Sequence, residues 1–253
     1  MTATTQHSST IDAAAQAELL TTGKLRAGVV RAPAPGVFFV SVDDQLGPDG
    51  VTVDIARELA RSLGAEASFQ IFPNSGECTD ALAAGDVDVA FMPVDDERRR
   101  KVDFGPAYYL LRSTFLVNTS EIATIAGYRQ RGRRFVGIAG TTTLRAAIRT
   151  FGAERATDVP SVEEAIALFA SGAVDAVALS EDYLRAVQAD HPGSVVMAEA
   201  FQETSISIAV GKEKPVALRL ATTFLDNAKT TGVVRRIFDN HGLGDEAVAP
   251  AGR

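Results

Sequence analysis

The stretch Asp88 to Tyr109, DVAFMPVDDERRRKVDFGPAYY, sets the reading of the whole chain. Val87 to Val94 is largely apolar and too short for an ordinary helix, so it reads as a buried strand of a parallel sheet. Sheets of that kind hold ligands beyond the carboxyl ends of their strands, and this end runs into Asp95, Asp96, Glu97, Arg98, Arg99 and Arg100. Taken alone, such a run describes a solvated turn equally well. A second copy of the pattern decides the architecture. Ala81 to Ala90 (ALAAGDVDVA) is echoed by Ala167 to Val177 (ALFASGAVDAV): a short helix stopping at a glycine, then a buried strand. Gly23 to Val29 (GKLRAGV) is likewise echoed by Gly132 to Ile138 (GRRFVGI). Two α/β lobes with one plan are implied.

The composition excludes several classes of function. With 46% hydrophobic residues in 253, the chain can bury one large or two medium cores. Twenty-five Lys and Arg against 32 Asp and Glu give a net charge of −7, which argues against nucleic acid as a partner. Cys78 is the single cysteine, and His7, His191 and His241 have no zinc-ligand spacing, so neither a disulfide framework, a metal nor another cofactor is expected. No segment reaches the roughly 18 consecutive apolar residues of a membrane span, so no membrane insertion is expected. Met1 to Thr22 has no Lys, Arg or apolar run, which predicts a cytoplasmic chain or one whose signal has been removed.

Along the chain, Leu25 to Val30 reads as the first strand, broken by Ala32-Pro33-Ala34-Pro35-Gly36. Val53 to Leu63 reads as a helix, Ala67 to Phe72 as a strand and Glu77 to Ala84 as a helix, an alternation that means parallel pairing and right-handed crossovers. Ser113 to Asn118 reads as a strand leaving the first lobe. Phe135 to Ala139, then Leu144 to Phe151 with Gly152 as its stop, repeat strand and helix, and Ser161-Val162-Glu163-Glu164 is a capping box opening the next helix. Val195 to Ala198 and Ser205 to Val210 read as strands, and Pro215 opens a helix. The last strand and helices have no counterpart unit and are expected to return to the first lobe.

Together these segments resemble the family 3 solute-binding proteins, the amino-acid-binding type of ABC importers. The resemblance spans roughly Gly23 to Gly242 and rests on GKLRAG at Gly23 to Gly28, GVTVDIARELARSL at Gly50 to Leu63, Ala81 to Val89, Glu97-Arg98 followed by Val102 to Tyr108, and Gly140-Thr141-Thr142. It implies an α/β, two-lobed periplasmic-binding-protein-like fold of the second type, each lobe a mostly parallel sheet flanked by helices, joined by a two-strand hinge. The expected division is a disordered segment at 1–21, one lobe from 22–118 plus 207–253, and the other from 119–206. It further implies a monomer that captures a small solute between closing lobes, with an ABC permease as partner and a periplasmic location.

Carried over residue by residue, Arg98 stands where the family clamps a ligand carboxylate; a guanidinium meets both carboxylate oxygens through a planar pair of charge-assisted bonds. Thr141 and Thr142, with Thr143 beside them, match the hydroxyl residues at a helix start in the other lobe, where N-capping is a compatible role. Three positions depart from the amino-acid binders: Pro93 replaces a hydroxyl donor, Ser75 stands where an aromatic platform is common, and Ser180 where an acid meets the α-ammonium. A ligand lacking a free ammonium is therefore expected unless Glu181 substitutes; as neighbours on a strand, Ser180 and Glu181 would face opposite ways. Arg31 adds either a second cation or an exposed stem, and Phe38, Phe39 and Phe91 either line an apolar wall or pack in a core. The expected function is capture of a small carboxylate, amino-acid-like or an organic acid, for uptake or sensing, without catalysis. The alternatives are a lyase like cyclohexadienyl dehydratase, with Glu181 or Glu77 as the acid, and a ligand-free interaction module.

Overall fold

The structure is a computed structural model describing residues 14, 17–31, 41–43, 47–118 and 124–252. The loop expected after the first strand, with Phe38 and Phe39, lies outside these residues. Of the segment expected to be disordered, the described residues from 17 onward pack against later elements: Leu19 is fully buried, and the Glu18 carboxylate accepts the Ala217 amide at 2.8 Å.

The chain forms two compact units, and among the described residues it passes between them twice, after Leu110 and after Thr204. The first unit opens with β1 (Leu25–Val30), a small hairpin of β2 (Ser41–Asp43) and β3 (Gly47–Asp49), α1 (Val51–Ser62), β4 (Ala67–Phe72), α2 (Ser75–Ala84), β5 (Val89–Pro93) and α3 (Asp96–Lys101). The first half of β6 (Val102–Val117) follows. Here β4, β1 and β5 pair in parallel, with Leu25 opposite Ala67 and Ala27 opposite Val89. The second unit takes the rest of β6, then α4 (Ile125–Gln130), β7 (Phe135–Ile138), α5 (Thr142–Phe151), β8 (Ala156–Val159), α6 (Val162–Ala170), β9 (Ala176–Ser180), α7 (Glu181–Gln188) and β10 (Val195–Val196). Within it, β8, β7 and β9 are parallel, while β6 runs antiparallel to β9 with Ser113 opposite Ser180. β11 (Gln202–Gly211) returns to the first unit and lies antiparallel on β5, ahead of α8 (Pro215–Thr230) and α9 (Val233–Asn240).

The repeat read from the sequence is a repeat of contacts. The buried Asp88 carboxylate takes the Arg26 backbone amide at 3.0 Å, the Arg26 guanidinium at 2.7 and 3.1 Å, and the Thr21 hydroxyl at 3.2 Å. In the second unit Asp175 takes the Arg134 amide at 2.9 Å and the Arg133 guanidinium at 3.1 Å. Each aspartate immediately precedes its strand and ties that strand's start to the neighbouring one. The paired glycines also have one cause. A Cβ on Gly28 would meet Cys78 Sγ at 3.0 Å and Val87 at 3.2 Å, and one on Gly137 would meet Leu144 at 2.9 Å, so each allows a helix or neighbouring strand to pack close. In the second unit Phe115 is the hub of an aromatic core, its ring centroid 4.6 Å from Tyr128, 5.0 Å from Phe151 and 4.8 Å from Phe201.

Elements differ from the sequence reading where the local signal is weak. The strand read at Ser113 to Asn118 starts earlier, at Val102, and β6 runs unbroken through Gly105-Pro106; a Cβ at Gly105 would meet Ile208 at 3.0 Å, so this glycine marks a close approach and not a turn. The charged run after β5 is a turn of helix, α3, with Asp95 as its cap.

The Asp88 tie carries a direct test. Arg26 is partly exposed, so removing its buried partner by Asp88→Ala is expected to cost about 3 kcal/mol, the lower end for breaking such a pair, with a smaller loss for Asp88→Asn. At a urea slope of about 2 kcal/mol/M the Ala variant should unfold roughly 1.5 M earlier; a midpoint within ~0.3 M of the wild type would show that the tie is not needed.

Candidate functional site

In the first unit the site candidates gather at the carboxyl end of β5. Asp95 caps α3 by accepting the Arg98 amide at 2.9 Å, which turns the Arg98 side chain back over the strand end. There Arg98 Nη1 donates to the Pro93 carbonyl at 2.7 Å and pairs with Asp95 Oδ2 at 3.1 Å. Arg98 is 9% exposed, so it is not the solvated loop arginine that its sequence position suggests. Its charge reaches Cys78: burial pushes that thiol up to about 12, and Arg98 acts in the opposite direction. Arg99 lies over the Phe104 ring at 5.6 Å, and Arg100 is exposed.

Pro93 offers no hydroxyl, but its carbonyl orients the guanidinium, a role its side chain does not advertise. Ser75 is the first residue of α2, and its carbonyl accepts the Thr79 hydroxyl at 2.6 Å. Glu77 is exposed and bonded to Asn74, the cap of that helix. Phe91 is fully buried, edge-on to Tyr108 with ring centroids 6.2 Å apart, and serves the core of this unit. Arg31, just past β1, is exposed, and its amide donates to the Phe72 carbonyl at 2.9 Å.

In the second unit the candidates again converge at the carboxyl end of parallel strands. Gly140, at φ 73°, makes the turn after β7 that a side chain would disfavour. The Thr141 hydroxyl then donates to the Ile138 carbonyl at 2.8 Å and accepts the Leu144 amide at 3.2 Å, so it is committed to capping α5. Thr142 and Thr143 are the first residues of that helix, both buried. Thr143 Oγ1 lies 3.0 Å from Ser113 Oγ on β6, and Ser113 in turn faces Ser180 across the ladder. The structure thus brings Thr143, Ser113, Ser180 and Glu181 to one end of this sheet.

Glu181 is not a strand residue. β9 ends at Ser180, the cap of α7, and Glu181 opens the helix, so the alternation that would turn it away from the Ser180 side does not apply. It is 8% exposed and held by two guanidiniums: Arg185 on the next helical turn, and Arg112 on β6, whose Nη1 lies 3.2 Å from Oε2. That second contact has ion-pair distance without hydrogen-bond geometry, and Oε2 forms no hydrogen bond. Arg112 is anchored independently by donating to the Ala198 carbonyl at 3.0 Å. Arg112, Arg185, Ser113 and Asp95 are absent from the sequence-derived set. Asp95 three residues before Arg98 fits a cap spacing, and Glu181 with Arg185 fits the i,i+4 pairing of a helix, but nothing local announces Arg112 or Ser113.

Comparison with known proteins completes the picture. The ABC transporter glutamine-binding protein GlnH of Bacillus subtilis (strain 168) is 22% identical over 194 residues, 75% of this chain and 71% of that protein. A mutant of ArgBP from T. maritima superposes with a TM-score of 0.69 at 24% identity, covering 89% of this chain and 98% of that one. The ancestral amino acid-binding protein AncCDT-1, a precursor of cyclohexadienyl dehydratase, superposes at 0.71 and 25% identity over 91% and 98%. The fold is therefore the α/β one that the repeat implied. Residues 26–244 match the model of the bacterial extracellular solute-binding proteins, family 3, and the chain belongs to that family.

Proposed function

We propose that the chain captures a small solute through a carboxylate, as a binding protein and not as an enzyme, and that Arg98 is the clamp. The observation that carries this reading is the Arg98 guanidinium, nine-tenths buried at a strand end and pre-oriented by the Pro93 carbonyl and Asp95. A guanidinium carries its five N–H donors in a planar fork, the geometry that meets both oxygens of a carboxylate. Holding it in place beforehand removes side-chain entropy from the cost of binding. In the second unit, the amides that open α5 and the hydroxyls of Thr142 and Thr143 supply neutral donors of the kind an anionic group accepts.

A further observation favours binding without chemistry. Glu77 is exposed and engaged by the cap of its own helix, and Glu181 is engaged by two arginines, so neither candidate acid is presented to a leaving group. Incubation with prephenate or arogenate should accordingly yield no aromatic product. Among the described residues no helix is long and apolar enough to cross a membrane. The family's extracellular description supports delivery of the solute to a membrane permease of the ABC type from outside the cytoplasm.

Ser180 carries no charge and the Glu181 charge is already matched, so at these two positions the free α-ammonium of an amino acid finds no unengaged acid. Burying an unpaired ammonium costs several kcal/mol, on the order of a thousandfold in affinity. In calorimetric titrations a deaminated acid is expected to bind more tightly than its matched α-amino acid. A strong preference for the amino acid that survives Glu181→Gln would place its acceptor elsewhere. For the clamp, Arg98→Lys keeps the charge but loses the fork and should weaken carboxylate binding about 100-fold, while Arg98→Met should abolish it. Because Arg98 is buried and paired, a thermal melt must first show each variant folded; near-native affinity in folded Arg98→Met would exclude the clamp.

A further inference from the structure

We propose that the end of the second unit where β7 and β9 begin is a docking surface for anionic phospholipid headgroups. Residues 111–204 carry nine arginines, no lysine and eleven acids, and the arginines are unevenly placed. Six stand at this end: Arg129 and Arg131 where α4 stops, Arg133 and Arg134 just before β7, Arg149 in the last turn of α5 and Arg155 just before β8. Local contacts hold them together. Arg129 lies over the Phe151 ring at 5.8 Å, Arg155 Nη1 donates to the Arg129 carbonyl at 3.1 Å, and a Cβ on Gly132 would stand 3.9 Å from Arg155 Nη2. The acids beside them are Glu154, paired with Arg155 at 3.5 Å, and Asp175, paired with Arg133 at 3.1 Å. Asp158 is the third residue of β8, Asp190 follows α7 on the opposite face of the sheet, and Glu199 holds the Ile125 amide at the other end of α4.

Three of the six have work within the fold. Arg155 caps the carbonyl end of α4, Arg133 meets its acid, and Arg131 is already engaged. Arg129, Arg134 and Arg149 are exposed and have no acidic partner among the described residues. Their surroundings select the partner. The large apolar side chains here, Tyr128 and Phe151, are buried, and Gln130, Gly132 and Ala153 are what is exposed between the arginines. Such a surface lacks the aromatic anchors from which a protein interface draws its affinity. An array of phosphates needs no such anchor, because each guanidinium meets a phosphate through two parallel N–H bonds. Of phosphate arrays, a nucleic acid is disfavoured by the net charge of −7 and by the family's extracellular description, whereas a bilayer surrounds any permease. Docking needs no solute, so it stands or falls apart from carboxylate capture.

The experiment is co-sedimentation of the wild-type chain with phosphatidylglycerol–phosphatidylcholine vesicles and with pure phosphatidylcholine vesicles, at low and at high salt. Net charge alone predicts repulsion from the anionic vesicles, so binding to them and not to phosphatidylcholine, lost as salt rises, is the expected signature of the patch. An arginine at an anionic surface contributes about 5-fold in partitioning, so the triple variant Arg129→Gln, Arg134→Gln, Arg149→Gln should lose about 100-fold and Arg134→Gln alone about 5-fold. The matching Lys triple keeps the charge and should retain most of the binding. A control triple at exposed positions of the first unit, Arg61→Gln, Arg219→Gln, Arg236→Gln, changes the net charge equally and should stay within about 3-fold of the wild type. Absence of binding to anionic vesicles, equal binding to both kinds, or equal losses in the two Gln triples would each overturn the proposal. Tighter binding to soluble polyglutamate than to the vesicles would also overturn it, giving the surface to an acidic protein.

Discussion

Asp88 gives up all contact with water, and the fold is arranged so that each of its oxygens is met by more than one donor. A buried carboxylate is tolerable only when its partners replace its hydration, and here they come from the start of β1 and from Thr21. The tie fixes where β5 begins relative to β1. Fixing the beginning of a strand of five residues also fixes its end, and the end of β5 is where the chain turns into α3 and folds Arg98 back. The same logic recurs around Asp175, where the start of β9 is tied to the start of β7 and its end delivers Glu181. Acidic anchors at the start of these strands place the candidate residues at their ends.

Much of this was legible in the residues because its causes are local. An unbroken apolar run, a left-handed glycine at Gly85 or Gly172, and a serine three residues before Glu164 each express a backbone requirement within one turn or strand. The internal repeat was legible because both copies solve the same packing problem with the same residue types. What was not legible depends on partners distant in the chain. The strand β9 passes into α7 with no turn residue between, so the reading of Glu181 as a strand residue followed the pattern and missed the helix. β8 is short and half polar, and Gly105-Pro106 disguised the length of β6.

The candidate site shows the same division. Arg98 could be singled out from its motif, but its burial could not, since that follows from a carbonyl five residues earlier and from the Asp95 cap. Arg112 carries no motif and matters only because β6 lies beside β9. A substituted position such as Ser180 reads as a loss when taken alone. Set in the structure, it is the residue where β9 ends and the cap from which α7 starts.

The Cys78 thiol sits beneath β1 with Gly28 against it and is pushed up to about 12 by burial. At neutral pH it is neither accessible nor nucleophilic, so the native chain behaves toward maleimides and iodoacetamides as if it had no cysteine. A reporter dye can therefore be attached at a single engineered surface thiol without background labelling, and solute screening can be done by fluorescence on otherwise unaltered protein.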